Sequence, residues 1–154
     1  GLAFKKRTND MRDSAALKVV EALLARGVKA IRAYDPLAIE DARNIWFNPE
    51  KNHLFDRISY YPSAREAISG SDALYISTDW EVFRGLAHTI ETTVSPPNLV
   101  IDGRRMIPDF KSLLKSGYEY LPVGGTLLSP RDENANAANG QVSTTMSAEA
   151  KIVT

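Results

Sequence analysis

The first fourteen residues, Gly1-Leu-Ala-Phe-Lys-Lys-Arg-Thr-Asn-Asp-Met-Arg-Asp-Ser14, hold the densest set of groups able to act on an anion. Lys5, Lys6, Arg7 and Arg12 set four positive charges against the two negative charges of Asp10 and Asp13. Asp13 and Ser14 are good N-cap residues ahead of a helical run from Ala15 to Arg26, so backbone N–H groups and the positive end of a helix dipole would face the same spot. Such a loop suits a phosphate, although a solvated basic turn would use the same residues. A second basic group follows a short apolar run at Asp102-Gly103-Arg104-Arg105. There the glycine permits a sharp turn, so that Arg104 can point back over the strand end and offer a guanidinium to a phosphate or a uracil carbonyl.

Other chemistries are excluded by residue type. With no cysteine among 154 residues there is no thiol nucleophile, disulfide or thiolate metal site, which is compatible with the cytoplasmic location expected here. His53 and His88 make no ligand spacing with each other or with acids, so no metal site is expected. The glycine-rich turn of a dinucleotide site, Gly-x-Gly-x-x-Gly, is absent from the first loop. Asp35, after the run Lys29–Tyr34, stands where a ribose-binding acid would, but Asp35-Pro36 reads as turn chemistry. Trp46, Phe47 and Phe55 are expected to pack beneath a loop rather than to stack on nucleic acid. Nineteen basic and nineteen acidic residues give no net charge, hence no general attraction to nucleic acid or anionic lipid. No apolar run approaches the roughly 20 residues that span a bilayer.

The elements that must position these residues alternate. Gly1-Leu-Ala-Phe4 reads as the tail of a strand whose preceding residues are missing, which suggests a fragment of a longer protein. Ala16, Leu17, Val20, Leu23 and Leu24 share a helix face that Gly27 ends, and a strand follows over Lys29–Tyr34. A weaker helix from Leu37 to Ile45, a surface loop to Asp56, an edge strand at Arg57–Tyr61 and a helix capped by Ser63 come next. Strands at Ala73–Thr78 and Leu99–Asp102 enclose a helical Trp80–Ala87; Pro108 opens a helix ending near Lys115, and Tyr118–Val123 supplies a last strand. The pattern predicts an α/β, Rossmann-like parallel sheet flanked by helices, its first strand truncated. Residues 1–125 form the predicted domain and 126–154, rich in Asn, Ala, Ser and Thr, a disordered tail. At the carboxyl ends of such strands lie Phe4, Lys5, Asp35, Thr78, Asp79 and Asp102–Arg104, the rim on which a ligand is expected.

Four motifs in this order and spacing carry a resemblance: Gly1–Ser14, Ala33-Tyr-Asp-Pro36, Asp72-Ala-Leu-Tyr-Ile-Ser-Thr-Asp-Trp80 with Phe83-Arg84, and Val100-Ile-Asp-Gly-Arg104. Together they resemble the C-terminal UDP-binding domain of the UDP-glucose/GDP-mannose dehydrogenase family, most closely the UDP-glucose 6-dehydrogenases, over about Gly1 to Val123. The resemblance implies an enzyme of polysaccharide biosynthesis that oxidises UDP-glucose to UDP-glucuronate with two NAD, the cofactor being bound mainly by an N-terminal domain and the full-length protein being a homodimer. It implies that Phe4 and Lys5 contact the nucleotide-sugar, that Arg104 contacts the substrate, and that Arg12 reaches NAD on the other domain. It also implies that the family's cysteine nucleophile lies elsewhere, so this fragment holds no catalytic residue and is expected to be inactive alone. The family commonly has Thr-Asp-Asp at the place of Thr8-Asn9-Asp10, and Ile-Gly-Arg at that of Val123-Gly124-Gly125. The alternatives are a UDP-N-acetyl-hexosamine or GDP-mannose dehydrogenase domain, or a non-catalytic nucleotide-sugar-binding module.

Overall fold

The computed structural model describes residues 1–96, 98–134 and 151–154. Helix α1, Ala15–Ala25, forms where Ala16, Val20 and Leu24 recur on one face and bury themselves, and it stops at Gly27, whose φ of 91° lies in the left-handed region. Strand β1 is Ala30–Ala33. A short α2, Ile39–Asp41, runs on as a π-turn through Trp46, and a 3₁₀ turn over His53–Arg57 leads to the edge strand β2, Ile58–Tyr60. Then come α3 (Ala64–Ile68), β3 (Ala73–Ile76), a 3₁₀ turn at Glu81–Gly85, α4 (Leu86–Glu91) and β4 (Leu99–Asp102). Helix α5 (Phe110–Lys115) and strand β5 (Glu119–Pro122) follow. Pro108 falls outside α5 rather than in its first turn, because Asp109 takes the cap position after Met106 and Ile107 are drawn into the core.

All strands are parallel, in the order β2-β1-β6-β3-β4-β5, where β6 is Lys151–Val153. Helices cover both faces and create two apolar layers. One layer gathers Val20 and Leu24 of α1 with Phe47 and Phe55, which stack edge to face as expected of packing residues. The other gathers Ile68, Leu86, Ile90 and Leu113 from α3, α4 and α5. A strand between two covered faces must be apolar on both sides, and β6 obeys this: Ile152 enters the first layer and Val153 the second.

This last strand departs from the sequence expectation. The sequence places Lys151–Val153 within a disordered tail, whereas in the structure it forms a central strand between β1 and β3. Three residues are too few to show a period of two, and the polar stretch before them masks their β-branched character. Earlier in the expected tail, Leu128 exchanges backbone hydrogen bonds with Tyr120 at 2.8 and 2.9 Å, and Pro130–Asn134 forms a 3₁₀ turn. Residues 135–150 of that tail lie outside the described residues.

Candidate functional site

Winding reverses at the middle of the sheet: β1 leads outward to β2, whereas β3, β4 and β5 step outward the other way. Ligands of open parallel sheets bind at such a switch point, beyond the carboxyl ends of the strands. The opening loop, residues 1–14, sits there, and the fold holds its root by side chains from both neighbouring strands. On the β1 side, the buried Asp35 carboxylate accepts from the backbone N–H of Leu2 at 2.7 Å and of Ala3 at 3.0 Å. On the β3 side, the Ser77 hydroxyl donates to the Gly1 carbonyl and Thr78 Oγ1 donates to that of Ala3 at 2.7 Å. The loop closes on itself through Phe4 N–H to the Asp10 carbonyl, 2.9 Å. Ser14 then ties root to helix, its hydroxyl donating to Leu2 and accepting from Ala16.

Asp35 therefore does more than shape a turn. The turn is present, since Oδ1 accepts from Leu37 and Ala38, both at 2.9 Å, and Trp80 Nε1 adds a fifth donor to the carboxylate at 3.0 Å. Five N–H groups converge on one buried acceptor, which leaves the turn reading intact and shows a clamp that the sequence did not reveal. Such convergence joins residues 33 and 45 positions apart, beyond the reach of any local motif.

Asp102 organises the second loop in the same manner. Buried at the end of β4, it accepts from the backbone of Arg104 at 3.1 Å and of Ile107 at 2.9 Å, and from the Tyr120 hydroxyl at 2.9 Å. Burial first, and this carboxylate second, push the Tyr120 phenol above its ordinary range, so it stays a donor. Gly103 is needed because its N–H donates to the Ile76 carbonyl, and a Cβ there would stand 2.7 Å from that same oxygen. The turn sends Arg104 back across the strand ends, as the sequence led us to expect: Nε donates to the Ser77 carbonyl at 2.8 Å and Nη2 reaches the Phe4 carbonyl at 3.5 Å. Phe4, Lys5 and Arg104 are thus brought to one rim; Phe4 and Lys5 stand exposed.

The six cations of the two loops divide by partner. Lys6 lies 3.2 Å from Glu81 and 3.9 Å from Asp79, Arg7 lies 3.2 Å from Glu81, and Arg12 lies 2.7 Å from Asp10. The Arg12 guanidinium holds the Asp10 carboxyl down at about 2. Lys5, Arg104 and Arg105 make no ion pair among the described residues; the contacts of Arg104 are carbonyls, and Arg105 Nη2 donates to the Val123 carbonyl at 2.9 Å, contacts that orient a guanidinium without cancelling its charge. Arg12 projects from the far end of the loop, beside a shallow groove lined by Ser14, Leu17 and Trp46, and does not join this rim. His53 and His88 are both exposed. Among the described residues, no cluster of His, Cys, Asp or Glu has the arrangement to hold a metal, and no helix is long and apolar enough to cross a membrane.

The family model described as UDP-glucose/GDP-mannose dehydrogenase family, UDP binding domain, matches residues 1–109. UDP-glucose 6-dehydrogenase AglM of Haloferax volcanii is 36% identical over 119 residues, covering 74% of this chain and 25% of that protein. UDP-glucose 6-dehydrogenase YwqF of Bacillus subtilis is 32% identical over 130 residues, 84% of this chain and 27% of that protein. The UDP-glucose 6-dehydrogenase of Rhizobium meliloti is 34% identical over 125 residues, 80% of this chain and 26% of its own length. The chain spans about a quarter of the length of these relatives.

Proposed function

The chain belongs to the UDP-glucose/GDP-mannose dehydrogenase family, whose UDP-binding domain it carries, and from that premise we propose that the rim of Phe4, Lys5 and Arg104 holds the nucleotide of UDP-glucose for oxidation to UDP-glucuronate in a longer, NAD-dependent enzyme. The observation that carries this reading is the division of the cations. Three of the six make no ion pair among the described residues, Lys5, Arg104 and Arg105, and of these Lys5 and Arg104 share one rim at the switch point. A diphosphate needs uncancelled positive charge with oriented donors, and Arg104, braced by two carbonyls, supplies it with Lys5 alongside. Phe4, exposed at the loop tip, offers a face to a base. The domain's contribution is positioning, which brings the sugar's C6 to chemistry performed elsewhere.

The described residues do not fit NAD by themselves. The first loop is filled by long cationic side chains where a dinucleotide turn has glycines, and the acid after β1 is already saturated by five donors. In this proposal NAD sits on a separate N-terminal domain, with Arg12 as the residue that faces it. The homodimer and a role in polysaccharide biosynthesis belong to that longer protein and are part of the same proposal; the likeness to UDP-glucose 6-dehydrogenases supports its dehydrogenase part.

Two assays test this. Calorimetric titration of the chain with UDP is expected to give saturable binding, weakened in Lys5→Ala and Arg104→Ala. Incubation with UDP-glucose and NAD is expected to give no NADH above a no-protein control. Affinities for UDP unchanged in both variants would move the site off this rim, and steady NADH production would overturn the assignment of catalysis to another domain.

A further inference from the structure

Two successive arginines diverge after β4. Arg104 donates to the Ser77 carbonyl, beyond β3, whereas Arg105 Nη2 donates to the Val123 carbonyl, beyond β5, at 2.9 Å. Strands β3 and β5 flank β4, so the two guanidinium groups are anchored on opposite sides of it. At Arg105 the backbone takes a φ of 53°, in the left-handed region where glycine is at ease and a residue with a Cβ is strained. The side chain kept at this strained position is exposed and makes no ion pair among the described residues. Its contact is a carbonyl dipole, which leaves the charge open to an anion.

Arg105 borders a groove of about 400 Å³, within the roughly 300 to 1,000 Å³ of small-molecule sites. Phe110 of α5 and Tyr120 of β5 line it as a stacked pair, their ring centroids 4.7 Å apart and their planes 9° from parallel. Ile107, Pro122 and Leu128 extend the apolar lining. Among the described residues that line the groove, Arg105 is the one charged group and there is no acid. The edge strand beside it cannot take an added peptide strand, because Tyr120 already exchanges both of its outward backbone hydrogen bonds with Leu128 and Pro122 has no N–H to donate. What the groove suits is a small molecule, with a planar apolar body for the aromatic and proline lining and an anionic group for the guanidinium.

We infer that this groove is a second binding site, for a small organic anion with a planar aromatic body, held by Arg105 and by the stacked rings of Phe110 and Tyr120. It stands apart from the UDP rim, since neither Lys5 nor Arg104 lines it. The probe is anilinonaphthalene sulfonate, an aromatic anion whose fluorescence rises on leaving water, titrated into the unaltered chain, Arg105→Gly and Arg104→Ala. Glycine takes the left-handed φ without strain, so Arg105→Gly is expected to keep the circular-dichroism spectrum and to melt no lower than the unaltered chain. Saturable binding is expected in the unaltered chain, weakened at least about tenfold in Arg105→Gly, unchanged in Arg104→Ala and not displaced by UDP. No saturable binding, or equal affinity in Arg105→Gly, would overturn the inference. Loss of binding in Arg104→Ala, or displacement by UDP, would put the anion on the rim and overturn it as well. An arm that needs no variant compares phenyl-naphthylamine, which keeps the aromatic body and lacks the sulfonate. It is expected to bind the unaltered chain at least about tenfold more weakly than the sulfonate, and equal affinity would show an apolar surface with no place for an anion.

Discussion

Arg104 and Arg12 lie on two loops that flank the same strand ends, and they are held by opposite means. Arg104 is braced by the carbonyls of Ser77 and Phe4, so its orientation is fixed while its charge stays open. Arg12 is gripped by both carboxylate oxygens of Asp10, so its orientation is fixed by the partner that cancels it. Burial does not separate them, because both are exposed; the chemistry of the acceptor does. A cation made ready for an anionic ligand is one whose own contacts are dipoles rather than charges.

The comparison breaks most severely if the frames beneath the two loops fail. Asp35→Ala deprives five N–H groups of their acceptor, two of them at the root of the opening loop. A loss of about 3 kcal/mol or more is expected, lowering the melting temperature by roughly 10 °C. Asp102→Ala strands three donors under Arg104 and is expected to cost about 2 kcal/mol. Thermal melts of both variants check the order.

The smallest effect is that of Arg12→Ala. Its pair with Asp10 is fully exposed, so no measurable change in melting temperature is expected. Under the proposed NAD-facing role, the same change in a full-length dehydrogenase is expected to raise the apparent KM for NAD more than that for UDP-glucose, whereas an Arg12 that serves only its pair with Asp10 leaves NAD dependence unchanged; steady-state kinetics with each substrate varied in turn separates the two.

The alternation of strands and helices was legible because each strand from Ala30 to Pro122 is bounded by its own turn or cap signal, Gly27, Pro62, Ser63 and Gly117 among them. Arg104 was legible for a local reason too, an apolar run ending in Asp-Gly-Arg. What stayed hidden depends on contacts across the chain. Nothing near Asp35 in sequence announces that Leu2, Ala3 and Trp80 will share its carboxylate. The pairing of Lys6 and Arg7 with Glu81 removes two cations that looked equivalent to Lys5, and only the folded loop sorts them. The strand Lys151–Val153 is three residues long and is recognisable only by the gap it fills.

The open-charge rule for the two arginines is tested most directly by titrating UDP into three proteins, the unaltered chain, Arg104→Ala and Arg12→Ala, under one low-salt buffer. Removing a charged partner of a phosphate typically costs about 1.5 to 3 kcal/mol, so Arg104→Ala is expected to weaken binding by roughly 10- to 100-fold while Arg12→Ala binds as the unaltered chain does. Equal weakening in the two variants, or a larger loss in Arg12→Ala, would contradict it.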